Sequence, residues 1–168
     1  MKLDIFNHIF PRSYYDRMLA VVPDGRDMNK RVRAIPSIVD LDERFRIMDS
    51  FDDYAQVICL PQPPIESLGG PEIASELARI GNDGMAELVA KYPQRFPAFI
   101  AGLPMNHPGN LLKEAERAIT KLGAVGVQVF SNVNGAPLTA PATLPLFDLM
   151  ARHDLPLWLH PARGADYP

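Results

Sequence analysis

The chain has 168 residues, 47% hydrophobic and 22% charged, with a formal net charge of −3; this is the make-up of one ordinary domain with a single core. The mildly acidic balance and the lack of any Lys/Arg run argue against a nucleic-acid partner, and no apolar stretch approaches the ~20 residues that span a bilayer. No signal-peptide pattern opens the chain, and the single Cys59 excludes an internal disulfide and fits a reducing cytoplasm.

In chain order, residues 3–10 (LDIFNHIF) form a short apolar run that predicts a buried strand carrying His8 near its end. Residues 40–50 (DLDERFRIMDS) predict a helix, with Asp40 as N-cap and Glu43 three residues on. Residues 55–60 (AQVICL) read as a second strand. From Pro71 to Tyr92 the apolar residues Ile73, Leu77, Ile80, Leu88 and Val89 recur at helical spacing, while Gly81 and Gly84 predict a bend or break in the middle. Residues 96–103 (FPAFIAGL) read as a third strand, and 108–123 as a helix closed by Gly123. A fourth strand at 126–130 (GVQVF) and a helix over 144–154, with Leu146, Leu149 and Met150 on one side, lead to a fifth strand at 156–160 (PLWLH).

This alternation argues for a parallel sheet with right-handed crossovers. No glycine-rich phosphate-binding fingerprint follows any strand, which leaves a small open sheet or part of a (β/α)8 barrel. Five βα units occupy ~160 residues, whereas a closed eight-stranded barrel takes ~250. The fold expected is therefore α/β, a partial (β/α)8 TIM barrel of parallel strands that stops before closure, with residues 1–168 as its single N-terminal portion. On that reading the first and last strands present open edges, and a homo-oligomer or a missing C-terminal half would cover them.

Parallel α/β proteins place their chemistry at the carboxyl ends of the strands. His8 and His160 fall at the ends of the first and last strands, and His107 lies near the end of the third. Imidazoles from several strands can converge on a divalent metal, although a lone strand-end histidine is more often a hydrogen-bonded structural residue than a ligand. His107, in the turn NHPG, reads as turn chemistry, and His153 as a solvated residue at a helix C-terminus. Asn132 and Asn134, in SNVNG, stand either at the pocket border or as turn formers beside Gly135.

The segments DIFNHIFP, DLDERFRIMD, NDGMAELVAKYPQRFPAFIAGLPM, LGAVGVQVFSNVNG and LPLWLHP, taken in order, resemble the amidohydrolase superfamily. The branch is that of aminocarboxymuconate semialdehyde decarboxylase and related non-oxidative decarboxylases. The resemblance implies a metal-dependent enzyme that decarboxylates, or hydrolyses, a small carboxylated aromatic or unsaturated acid. It implies a divalent metal, zinc by preference, with His8 and His160 as ligands. The family's strand-one motif is His-x-His, and here its first position is Phe6, which cannot bind a metal. The remaining ligands and the proton-shuttling residues are expected beyond position 168. The family also holds the substrate carboxylate with an arginine after the first strand, a role open to Arg31 or Arg33, although a solvated basic loop is the better reading of these residues taken by themselves. Asn132 is the further candidate for substrate contact. The alternative, marked by Phe6, is a catalytically inactive barrel relative serving as a binding or assembly module.

Overall fold

The computed structural model describes residues 2–22 and 34–162. Arg31 and Arg33 lie outside the described residues. In chain order the elements are β1 (Lys2–His8), α1 (Arg12–Val21), α2 (Leu41–Met48), β2 (Tyr54–Cys59), α3 (Pro71–Lys91), β3 (Ala98–Phe99), α4 (Pro108–Thr120), β4 (Val127–Phe130), β5 (Asn132–Val133), β6 (Ala136–Pro137), α5 (Leu144–His153) and β7 (Leu157–His160). Strands β1, β2 and β3 pair in parallel, as do β4 and β7. A parallel bridge between Ala101 and Val127 joins the two groups, with Ala101 N donating to Gly126 O at 3.0 Å and Gln128 N to Ala101 O at 2.8 Å. The result is an open arc of parallel strands in the order β1-β2-β3-β4-β7, an unclosed, barrel-like arrangement of the kind the alternating pattern predicts.

Alternation along each strand divides the arc into two faces. Ile58, Phe99, Val127 and Val129 point outward into the main core with the helices, whereas Val57, Cys59 and Ile100 form a second, inner cluster with Trp158. The indole Nε1 of Trp158 donates to Ile5 O at 2.9 Å, so the last strand is tied to the first across the inner face. At the two open edges Leu3, Ile5 and Leu159 remain exposed.

Local chemistry explains most boundaries. The Asp40 carboxylate accepts from the backbone of Asp42 and Glu43 at 2.9 and 3.2 Å and starts α2. Glu43 does not reach back to the cap; it pairs with Arg46 instead. The expected bend in α3 does not occur, and the helix runs unbroken from Pro71 to Lys91. Gly81 and Gly84 are there for contact: a Cβ at 84 would lie 2.5 Å from Pro11 Cβ, and one at 81 would lie 2.9 Å from Leu60 Cδ1. The glycines let α3 press against the start of α1 and the end of the second strand, and tertiary packing overrides the weak helix propensity. Residues 96–103 form less strand than their apolar run predicts, with the ladder to β2 confined to Ala98–Phe99 and a single bridge at Ala101 towards β4. Beyond it the buried Asn82 side chain of α3 takes the place of a strand partner, bonding both the N–H and the carbonyl of Gly102 at 2.9 Å.

Candidate functional site

The site begins with an irregularity in β1. Its register against β2 shifts between Asp4 and Asn7, and the Asp4 carboxylate closes the bulge, accepting from Phe6 N at 3.1 Å, Asn7 Nδ2 at 2.6 Å and Tyr54 Oη at 3.0 Å. Burial works to raise the Asp4 pKa, but these bonds outweigh it and hold the carboxyl below its ordinary value.

Arg44 of α2 locks the strand end from behind. It is buried, and its guanidinium donates to Ser37 O at 2.8 Å, Asn7 Oδ1 at 2.7 Å, Gln56 Oε1 at 2.6 Å and the carbonyl of His8. Burial pulls its pKa down to about 10, which leaves it charged at neutral pH. The fork of donors is matched by acceptors from three separate elements, an arrangement a lysine could not satisfy.

His8 and His160 face one another at the carboxyl ends of the first and last strands, with ring centroids 5.3 Å apart. Two imidazoles on one tetrahedral ion, at metal–nitrogen distances of about 2.1 Å, place their centroids about 5.2 Å apart. The ring separation here is close to that value. Burial, reinforced by the charge of His160, lowers the His8 pKa to about 4, so its ring is neutral and keeps a lone pair at neutral pH. His8 Nδ1 lies 3.3 Å from Cys59 Sγ, while the thiol reaches Asn7 O at 3.5 Å. Burial pushes the Cys59 pKa up to about 12, so it stays a thiol.

His160 Nδ1 lies 2.8 Å from Pro161 O, and Gln62 Nε2 donates to the same carbonyl at 2.9 Å. Gln62 Nε2 also lies 3.3 Å from His160 Nδ1; the shorter 2.8 Å approach to an acceptor-only oxygen favours the proton on Nδ1, with the lone pair on Nε2. An Nδ1–H bonded to a carbonyl is the usual outer support of a metal-binding imidazole.

Phe6 stands where the ligand pattern would place another donor. Its ring packs edge-on to His8 at 5.5 Å and against His160 at 5.8 Å, and Phe130 contacts His160 at 4.8 Å. Among the described residues no group of three or more His, Cys, Asp or Glu is placed to hold a metal ion. The two histidines thus lie together against aromatic rings, beside a cavity of about 330 Å³ bordered by Phe6, His8 and Arg44.

The other sequence candidates fall as follows. Asn132 closes the β5–β6 turn by accepting from Gly135 N at 2.9 Å and donates to Ala162 O at 3.3 Å, next to the segment that carries His160. Asn134 donates to Glu66 O at 3.3 Å. His107 caps α4, with Nδ1 accepting from Asn110 N at 3.2 Å. His153 ends α5 with Nε2 3.0 Å from Glu116. Sequence reading missed Arg44, Gln62 and Cys59. For Arg44 a signal existed: Leu41, Arg44, Phe45 and Met48 share one helical face at i, i+3, i+4 and i+7.

A family model described as amidohydrolase matches residues 14–167. A gamma-resorcylate decarboxylase of Polaromonas sp. (strain JS666 / ATCC BAA-500) is 35% identical over 130 residues, covering 71% of this chain and 38% of that relative. The 2-amino-3-carboxymuconate-6-semialdehyde decarboxylase of Dictyostelium discoideum is 31% identical over 122 residues, covering 73% of this chain and 34% of the relative. Among solved structures, a dihydroxybenzoic acid decarboxylase from Polaromonas sp. JS666, with bound manganese and the inhibitor 2-nitroresorcinol, superposes with a TM-score of 0.78 at 26% identity, over 98% of this chain and 50% of that one. The chain thus spans half or less of the length of these relatives.

Proposed function

The chain belongs to the amidohydrolase family, and on that premise we propose that residues 1–168 form, as one unit, the N-terminal portion of a metal-dependent decarboxylase. Its substrate would be a small carboxylated aromatic or unsaturated acid. The observation that carries the reading is the His8–His160 pair, 5.3 Å apart at the strand ends. A divalent ion there would be held by the two imidazoles; it would polarise the substrate oxygens and stabilise the charge left as CO2 departs.

The remaining chemistry is the chain's own. Burial keeps His8 neutral. Pro161 O and Gln62 fix the His160 ring. Phe6 and Phe130 pack against the imidazoles and would offer faces to a planar substrate. Asn132 borders the site through its bond to Ala162. Arg31 or Arg33, in the segment after β1, would take the substrate carboxylate bidentately. The proton that replaces CO2 on carbon is assigned to none of the described residues. Imidazole ligands favour zinc, and the solved relative holds manganese. Cys59 is a free, buried thiol, which suits a cytoplasmic setting. A C-terminal half or a second copy would cover Leu3, Ile5 and Leu159.

Phe6 favours a second reading, a binding or assembly module without catalysis, because an apolar ring fills the place of a ligand. Binding of 2-nitroresorcinol, followed by its absorbance with and without manganese, separates the two. Metal-dependent binding lost in His160→Ala supports the decarboxylase reading. Absence of metal-dependent binding overturns it in favour of the module.

A further inference from the structure

Glu66 lies in the loop between β2 and α3 and is 4% exposed. Its Oε1 is buried and has no hydrogen-bond partner among the described residues, and the same is true of Gln128 Oε1. Both residues line one cavity of about 10 Å³, room for one water at most. The rest of that lining, from the segments after β2 and β3 and from β4, carries no ionisable side chain. Tyr14 of α1 is the titratable group that senses Glu66, since a charge there raises the tyrosine pKa further above the value its burial imposes. That lining therefore offers a carboxylate no cation; a proton on Glu66 adds a donor among these unpartnered oxygens, and the buried Tyr14 hydroxyl is likewise without a partner among the described residues.

The backbone of the same residue ties the loops at the carboxyl ends together. Glu66 O accepts from Asn106 Nδ2 of the β3–α4 loop and from Asn134 Nδ2 of the β5–β6 turn, each at 3.3 Å. Asn106 also donates to Gly69 O at 3.1 Å. Four residues before Glu66, Gln62 holds Pro161 O beside His160.

We propose that Glu66 is a proton-operated latch: as a neutral acid it seats the β2–α3 loop on the mouth of the strand arc, and its ionisation drives the loop outward and loosens Gln62 from Pro161 and His160. The mechanism is desolvation. A carboxylate facing Leu60, Ile65 and Leu103 is strongly disfavoured, and the nearest way to hydrate it is to lift the short loop that carries it. Burial accordingly raises the Glu66 pKa to about 7, within the range where a cell could exploit it. The latch operates whatever reaction the loops surround.

Two measurements test it on the whole chain. The first is the carboxyl 13C shift of Glu66 followed against pH in the unsubstituted protein. A midpoint near the pKa of about 7 is expected, and one near the ordinary value of 4.5 overturns the latch. The second is hydrogen exchange of the loop amides in the unsubstituted chain relative to Glu66→Gln, an uncharged near-isostere. From about pH 5 to about pH 9 the ratio should rise on the order of a hundredfold, the linkage expected between an open-state pKa of 4.5 and a closed-state pKa of about 7. A ratio that stays flat overturns the proposal even if the substituted chain is less stable, because lost stability would shift exchange equally at every pH.

Discussion

Replacing Arg44 with methionine tests the lock behind β1. The guanidinium satisfies acceptors on Ser37, Asn7, Gln56 and His8. Methionine fills similar volume but leaves all of them without that donor. Gln56 Oε1 is the worst placed, since its bond to Arg44 is buried, whereas the other acceptors are partly buried and can recruit water. Taking about 2 kcal/mol for the buried acceptor and about 0.5–1 kcal/mol for each of the rest gives a loss near 4 kcal/mol. Relief of the desolvated charge offsets about a quarter of it, for a net of about 3 kcal/mol. Urea unfolding should show the midpoint falling by about 1.5 M at an m-value of about 2 kcal/mol/M. Arg44→Lys retains a charge but loses the fork, and should fall between methionine and the unsubstituted chain. A methionine variant within about 0.3 M of the unsubstituted midpoint would refute the reasoning, since the acceptors would then need no buried cation.

Gly84→Ala should destabilise by about 1–2 kcal/mol despite alanine's better helix propensity, because its Cβ meets Pro11 Cβ at 2.5 Å; a thermal midpoint at or above that of the unsubstituted chain would show that α1 and α3 separate freely. Asp40→Ala removes the cap of α2 and should lower stability by about 1 kcal/mol, read by urea unfolding, with Asp40→Asn recovering most of it. Because the folded pKa of Glu66 lies above its ordinary value, its contribution is full below pH 4.5 and is lost as pH rises to about 7. Stability should fall by about 3 kcal/mol over that window, and Glu66→Gln should flatten this part of the profile; parallel profiles would show that Glu66 does not titrate there.

The fold was legible where periodicity and burial agree. The strands carrying His8, Cys59 and His160 are short apolar runs bounded by turn residues, and the end-of-strand position of both histidines predicts their proximity. Legibility failed where a residue serves a partner distant in sequence. Gly81 and Gly84 read as helix breakers because Pro11, Leu60 and Tyr14, which make them necessary, lie far away in sequence. The run 96–103 read as a long strand, but at Gly102 its backbone is paired by the Asn82 side chain. Helix α1 went unrecognised because Arg12–Val21 has neither an acidic first turn nor a side-chain cap. Glu66 looked like an ordinary loop acid, since nothing in PPIESL announces that Gln128 and the β3–α4 loop close over it.

The central claim is that His8 and His160 share one divalent ion and that Phe6 withholds another ligand. Calorimetric titration of the purified chain with zinc and with manganese, beside His160→Ala and Phe6→His, tests it most directly. One equivalent of metal should bind to the unsubstituted chain, at least tenfold more weakly to His160→Ala, and more tightly to Phe6→His, about the loss and gain of one imidazole ligand. Affinity that is the same in all of them would contradict the account.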